Sequence, residues 1–226
     1  MNLPNRALSD QVILITGATS GIAPSLIRIA GNHHAKIFMV DKDEVPLQKL
    51  QDELRQKGHD SAFAVADLTE KDQAKYVTDA CLKKFGRIDT WINNPKALIG
   101  KMDIDENFIS FINSCKIAAQ SIKNTAYAGS IINIVPPGQK SFLKAVARYT
   151  NNLKRKIKKL KLPINILLVI PQEDFSGSDI LECATVNQGQ RYSDNLKAIN
   201  YLKPSFAKGV IISAFGYLLV KGLKKI

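Results

Sequence analysis

Thr16-Gly17-Ala18-Thr19-Ser20-Gly21-Ile22 follows directly on the apolar run Val12-Ile13-Leu14-Ile15. A buried strand that ends in a glycine turn and enters a helix aims backbone N–H groups, and the positive end of the helix, at an anion. In α/β folds that anion is usually a dinucleotide pyrophosphate. Other chemistries lack their parts. The three histidines, His33, His34 and His59, all lie early in the chain. No Ser-His-Asp set and no metal-ligand spacing can be assembled from them.

The elements that must position the turn alternate along the chain. Short apolar runs predict strands at 11–15, 36–40, 61–65, 88–92, 130–135 and 164–169. Helical patterns fill the gaps at 22–32, 44–57, 70–85, 103–124 and 141–161, and a further helix is expected at 204–222. Repeated strand-helix-strand units with right-handed crossovers imply an α/β fold, a three-layer, doubly wound parallel sheet of the Rossmann type. In 141–161, Phe142, Val146, Tyr149, Leu153, Ile157 and Leu160 recur at three- and four-residue steps and form one apolar stripe. Pro163 ends that helix. Residues 171–203 are polar and unpatterned, the composition of a substrate or lid region.

The chain of 226 residues fits one large α/β domain, 1–226. Its apolar fraction of 45% is ample for a core. Cys81, Cys115 and Cys183 are odd in number and widely spaced. They build no disulfide framework, and the N-terminus lacks an apolar signal core, so an intracellular, cytoplasmic setting is expected. The apolar stretch 209–220 is too short to span a bilayer, which needs about 20 residues. It is expected to be a buried C-terminal helix, with an interfacial helix as the alternative. The formal charge of +12 is concentrated: Lys154, Arg155, Lys156, Lys158, Lys159 and Lys161 fall close together. Such a cluster is either a solvated face or a weak site for an anionic partner. No aromatic side chains interleave with it, which argues against specific nucleic-acid recognition.

Over nearly its full length the chain resembles the short-chain dehydrogenase/reductase family. The family's T-G-x-x-x-G-x-G motif matches Thr16, Gly17 and Gly21, with Ala23 replacing the last glycine and Pro24 following. Asp41 stands at the end of the second strand. The resemblance implies that its carboxylate accepts from the adenosine ribose hydroxyls and repels a 2′-phosphate, favouring NAD over NADP, although Lys42 next to it offers a phosphate a cation. Asp67-Leu68 resembles the family's pair beside the adenine. Phe85-Gly86-Arg87-Ile88-Asp89, followed by Trp91-Ile92-Asn93-Asn94, is similar to the lead into the Asn-Asn-Ala-Gly motif, but Pro95 and Lys96 replace its small pair. Lys96 either reaches the pyrophosphate or crowds the nicotinamide side. The implied cofactor residues are therefore Thr16, Gly17, Thr19, Ser20, Gly21, Ile22, Asp41, Lys42, Asp67, Leu68, Asn93 and Asn94.

The catalytic half departs from the pattern. The family uses a Ser, a Tyr, a Lys four residues later and a helix Asn for acid–base catalysis coupled to hydride transfer. Asn113 falls where the helix Asn belongs. The Ser position holds Pro136, and Ser130 and Ser141 are substitutes out of register. Counting back from Pro171 puts the Tyr and Lys at Lys140/Lys144 or Ser141/Ala145, so no Tyr matches. Lys144 either keeps the ribose-binding role or is a solvent lysine. Tyr149 lies on the apolar stripe with Leu153, not Lys, four residues later, and is expected in the core. The resemblance implies an NAD(P)-binding oxidoreductase with a degraded centre, acting atypically or weakly on carbonyls and alcohols. The alternatives are a non-catalytic dinucleotide-binding sensor or scaffold, and a chain in which dinucleotide binding is lost as well. The family often pairs subunits through the two helices flanking the Ser strand, which like charges on 141–161 would oppose here, so the oligomeric state stays open.

Overall fold

Val12 to Thr16 form β1, and all five are buried except for a trace of Thr16. Alternate residues point to opposite faces of a strand. Val12 and Leu14 enter one apolar core, and Ile13 and Ile15 enter another. A sheet covered on both faces follows, and the computed structural model has it. It describes residues 7–70, 72–95, 104–125, 128–135, 140–170, 180–181 and 210–212.

The elements run β1 (Val12–Thr16), α1 (Ala23–Asn32), β2 (Lys36–Asp41), α2 (Glu44–Gln56), β3 (Ser61–Val65), α3 (Gln73–Phe85), β4 (Thr90–Asn93), α4 (Ile104–Thr125), β5 (Gly129–Ile134), α5 (Lys140–Lys159), β6 (Ile164–Ile170) and β7 (Val210–Ile212). The sheet order is β3-β2-β1-β4-β5-β6-β7. The first six strands are parallel, as the alternating pattern predicts. Helices α1 and α2 cover one face through Leu26, Ile27, Leu47 and Leu54, joined by Ile180 and Leu181. Helices α3, α4 and α5 cover the other through Val77, Cys115, Ile122, Phe142 and Val146. Arg28 of α1 grips Glu53 of α2 by two bonds of 2.8 Å, a bidentate pair that fixes the two helices side by side.

Three expectations need correction. The helix expected at 204–222 contains a strand: Val210, Ile211 and Ile212 pair antiparallel with Ile170, Val169 and Leu168. A short apolar run does not separate strand from helix by periodicity, and these β-branched residues satisfy the otherwise open edge of β6. The rest of that span lies outside the described residues, as does the region 171–203 apart from Ile180 and Leu181. In α5, Lys154 is not part of the exposed cationic cluster but is 5% exposed, on the stripe with Val146 and Thr150. Leu160, expected on that stripe, is instead 55% exposed, because α5 ends at Lys159. Among the described residues no helix is long and apolar enough to cross a membrane.

Candidate functional site

The sheet reverses direction of winding between β1 and β4, and a cleft opens there at the carboxyl ends of the strands. Such switch points are where α/β sheets bind ligands. Thr16, Gly17, Asp41, Lys42, Asp67, Leu68, Asn93 and Asn94 line it, drawn from the ends of β1, β2, β3 and β4. Eight of the residues singled out by sequence thus share one cavity.

The turn after β1 is built around two glycines. Gly17 has φ +61°, and a Cβ there would lie 1.9 Å from the backbone oxygen of Asn94. Only glycine allows β1 and β4 to approach so closely. Gly21 is also left-handed, at φ +57°. Asn94 then locks the turn: its Nδ2 donates to the Gly17 carbonyl at 2.8 Å and the Ser20 carbonyl at 3.0 Å. The Ser20 hydroxyl donates to the Gly17 carbonyl at 3.3 Å.

The amides of the turn divide into two sets. Ala18 N–H donates to the Val40 carbonyl, Ser20 N–H to Gly17 and Ala23 N–H to Ser20. Thr19 N–H donates to Asp41 Oδ2. Among the described residues no hydrogen bond engages the amides of Gly21 and Ile22. Ile22 is the N-cap of α1, no side chain caps that end, and Pro24 in the first turn has no amide to satisfy. Two donors and a helix N-terminus therefore stand together, the arrangement that holds a phosphate. Ala23 is fully buried beneath them, so the methyl that replaces glycine is accommodated in the core.

Asp41 is 6% exposed at the end of β2. Its Oδ2 accepts from Thr19 N–H at 3.1 Å and Thr19 Oγ1 at 2.6 Å, and its Oδ1 from Lys42 N–H at 2.8 Å. The carboxylate is thus oriented toward the glycine turn before any ligand arrives. Across the cleft, Asp67 Oδ1 accepts from the amide of Thr69 at 3.0 Å and its hydroxyl at 2.7 Å. Those bonds, with the nearby Lys42 ammonium, hold the Asp67 carboxyl below the usual carboxylate range. Pro95 lines the cleft after Asn94, and Lys96 lies outside the described residues.

The sequence reading missed one wall. Ser110, Phe111 and Ser114 of α4 line the cleft. Two serines four residues apart on an otherwise apolar helix face were a usable signal. Behind them runs a buried polar chain. Trp91 Nε1 donates to Asn93 Oδ1 at 2.9 Å and Ser114 Oγ at 3.1 Å. Asn93 Nδ2 donates to Asn133 Oδ1 at 2.8 Å, and Asn133 Nδ2 to Thr150 Oγ1 at 3.2 Å. Asn93, expected at a cofactor, is thus also a tie between β4 and β5.

The residues expected to do acid–base work are dispersed. Asn113 is half-buried on α4, and Ser110 and Ser114 line the cleft in its stead. Lys144 and Ser141 are exposed on α5, and neither lines the cleft. Ser130 is the second residue of β5, five residues before Val135, about 16 Å away along the strand. It is therefore at the wrong end of the sheet to stand in for a hydroxyl at the cleft. Pro136 lies outside the described residues. Tyr149 packs edge-on to Phe108 and Phe111, with ring centroids 6.3 and 5.7 Å away. Burial pushes its hydroxyl up to about 12, so it is held as a neutral packing group. Among the described residues no group of three or more His, Cys, Asp or Glu side chains is placed to hold a metal.

Comparison with known proteins agrees with the fold. The sequence model of the family described as short chain dehydrogenase matches residues 11–152. An uncharacterized oxidoreductase, YxnA, of Bacillus subtilis is 28% identical over 74% of this chain and 52% of its own. A xanthoxin dehydrogenase of Arabidopsis thaliana is 30% identical over 61% of this chain and 53% of its own. The chain spans about half the length of these curated relatives. Among solved structures, a metagenomic short-chain oxidoreductase in complex with NADP superposes with a TM-score of 0.68 at 18% identity, over 81% of this chain and 94% of that one. An NADH-dependent reductase complexed with NAD gives 0.61 at 22% identity, over 73% and 80%.

Proposed function

Because the chain belongs to the short-chain dehydrogenase family, we propose that its cleft binds a nicotinamide dinucleotide, NAD in preference to NADP. On this reading the protein is an oxidoreductase of carbonyl or alcohol groups whose acid–base centre has been degraded. One observation carries the proposal: the amides of Gly21 and Ile22, at an uncapped helix N-terminus, stand in the same turn whose Thr19 holds Asp41 of β2. The first pair suits a pyrophosphate and the second an unphosphorylated adenosine ribose. The bound NADP and NAD of the structural neighbours support a dinucleotide without choosing between the two.

A bound nicotinamide dinucleotide would supply the hydride. The chain's own part is to hold it. Gly21 and Ile22 donate to the diphosphate, Asp41 accepts from the ribose, and Asp67 and Leu68 flank the base. Asn113 and Lys144 are the remaining family-matched positions for the reacting end, and neither lines the cleft. Neither replaces the proton that a Tyr hydroxyl gives or takes in the family, which is why weak turnover is expected.

Calorimetric titration with NADH and NADPH tests binding, and incubation of the reduced cofactor with a panel of carbonyl compounds tests turnover. Tighter binding of NADH with slow turnover is the expected result, and loss of that turnover in Lys144→Ala would show that Lys144 takes part although it does not line the cleft. Failure to bind either cofactor would sink the proposal.

A second reading is a dinucleotide-binding sensor or scaffold. It is favoured by the exposed Arg155, Lys156, Lys158, Lys159 and Lys161, for which no ion pair occurs among the described residues. It predicts cofactor binding with no turnover, and capture of an anionic partner that weakens steeply as salt rises.

A further inference from the structure

We propose that Ser114 donates a hydrogen bond to the nucleotide base in the cleft, and that Trp91 sets its aim. The proposal rests on the dinucleotide reading of the cleft. An indole N–H is a donor only. With Trp91 Nε1 3.1 Å from Ser114 Oγ, the serine oxygen must accept, and its own proton must point elsewhere.

A serine within a helix commonly gives that proton to the carbonyl four residues back. Thr78 and Thr125 do so here, donating to Ala74 and Ser121 at 2.8 Å. Ser114 makes no such bond, and among the described residues its hydroxyl proton finds no acceptor. Yet Ser114 is 1% exposed and lines the cleft. A buried donor without an acceptor is unfavourable, so the arrangement suits a ligand that brings one.

The orientation is well fixed. Trp91 is fully buried, and its indole N–H is shared with Asn93 Oδ1. Asn93 is tied in turn to Asn133 of β5. The same cleft is lined by Asp67, whose carboxylate is an acceptor held ionised by Thr69. A donor and an acceptor that line one cleft with the ring of Phe111 suit a flat heterocycle with a ring-nitrogen acceptor and an exocyclic amine, which is the chemistry of adenine.

The test uses the full chain and two probes, ADP-ribose and inorganic pyrophosphate, titrated against wild type, Ser114→Ala and Trp91→Phe. Ser114→Ala is expected to weaken ADP-ribose about three- to tenfold, the effect of one lost hydrogen bond, and to leave pyrophosphate unchanged. Trp91→Phe, which touches no ligand, is expected to weaken ADP-ribose in the same direction by less. Trp91 is the one tryptophan of the sequence, so its emission reports the site in wild type. ADP-ribose should shift it, and pyrophosphate should not. If Ser114→Ala binds ADP-ribose as wild type does, or loses both probes in equal measure, the inference is overturned while the dinucleotide reading stands. If wild type binds neither probe, the dinucleotide reading fails and takes the inference with it.

Discussion

Thr19 and Asp41 are hydrogen-bonded twice, through the Thr19 amide at 3.1 Å and its hydroxyl at 2.6 Å, both to Asp41 Oδ2. The glycine turn and the end of β2 are thereby joined through the carboxylate proposed to choose between the two dinucleotides. The two bonds hold the Asp41 carboxylate in place, so a 2′-phosphate would meet a group unable to swing away.

Removing that charge should therefore change cofactor choice. Asp41→Ala is expected to narrow the preference for NADH over NADPH by on the order of a hundredfold, since like charges in close contact cost several kcal/mol and about 1.4 kcal/mol is a factor of ten. Thr19→Val, which keeps the shape but removes the hydroxyl, should narrow it less. Titration calorimetry with both cofactors measures the ratio, and an unchanged ratio in Asp41→Ala would remove Asp41 from the site.

Gly17 should tolerate no side chain. Its positive φ and the Asn94 oxygen 1.9 Å from a built Cβ act together. Gly17→Ala is expected to lower stability by about 1–3 kcal/mol from backbone strain alone, with more from the clash, and to abolish cofactor binding. Gly58 has φ +74° but open space around its Cβ position, so Gly58→Ala should cost only the strain. Thermal unfolding of the two variants separates the contributions.

Lys154 sets a pH dependence. It is buried on α5 with no ion pair among the described residues, and burial pulls its ammonium down to about 8 from an ordinary 10.5. Between those values the unfolded chain holds a proton that the folded chain has released. Stability therefore rises as pH climbs from about 8 toward 10.5 and is lowest below that window. Lys154→Met should raise stability at pH 7 by about 2–3 kcal/mol and flatten the rise. Denaturant unfolding at pH 7 and pH 10 would show it, and a variant no more stable than wild type at pH 7 would refute it.

Asn133 ties Asn93 to Thr150 inside the core. Asn133→Ala would leave the Asn93 amide with one of its acceptors gone and open a small void. A loss of about 1–3 kcal/mol is expected in denaturant unfolding, with Thr150→Val milder because only an acceptor is removed. A weakened base site alongside, seen in the Trp91 emission, would show that the chain reaches the cleft.

Much of the fold was written in run lengths. Six strands and five helices were placed to within a few residues, because a strand buried on both faces has few ways to be spelled and each helix carries its own apolar stripe. The glycine turn and Asp41 were legible for the same reason: a left-handed turn and a lone carboxylate at a strand end are local features. The last strand was not, since Val210–Ile212 becomes a strand only where β6 offers an open edge. The α4 wall was legible only as two serines four residues apart, because a serine on an apolar helix does not say what lies opposite.

By itself the sequence determined the strands and helices, their alternation and the glycine turn, all features of residues near in the chain. Only the tertiary structure decided how the polar groups of the site are shared: that Asn94 locks the turn, that Thr19 holds Asp41, that Trp91 faces Ser114, and that Lys154 is buried while Lys144 is not. These are pairings across strands and helices up to 77 residues apart. A side chain's type states what it can bond to, and the packing of distant elements states which bonds it has left.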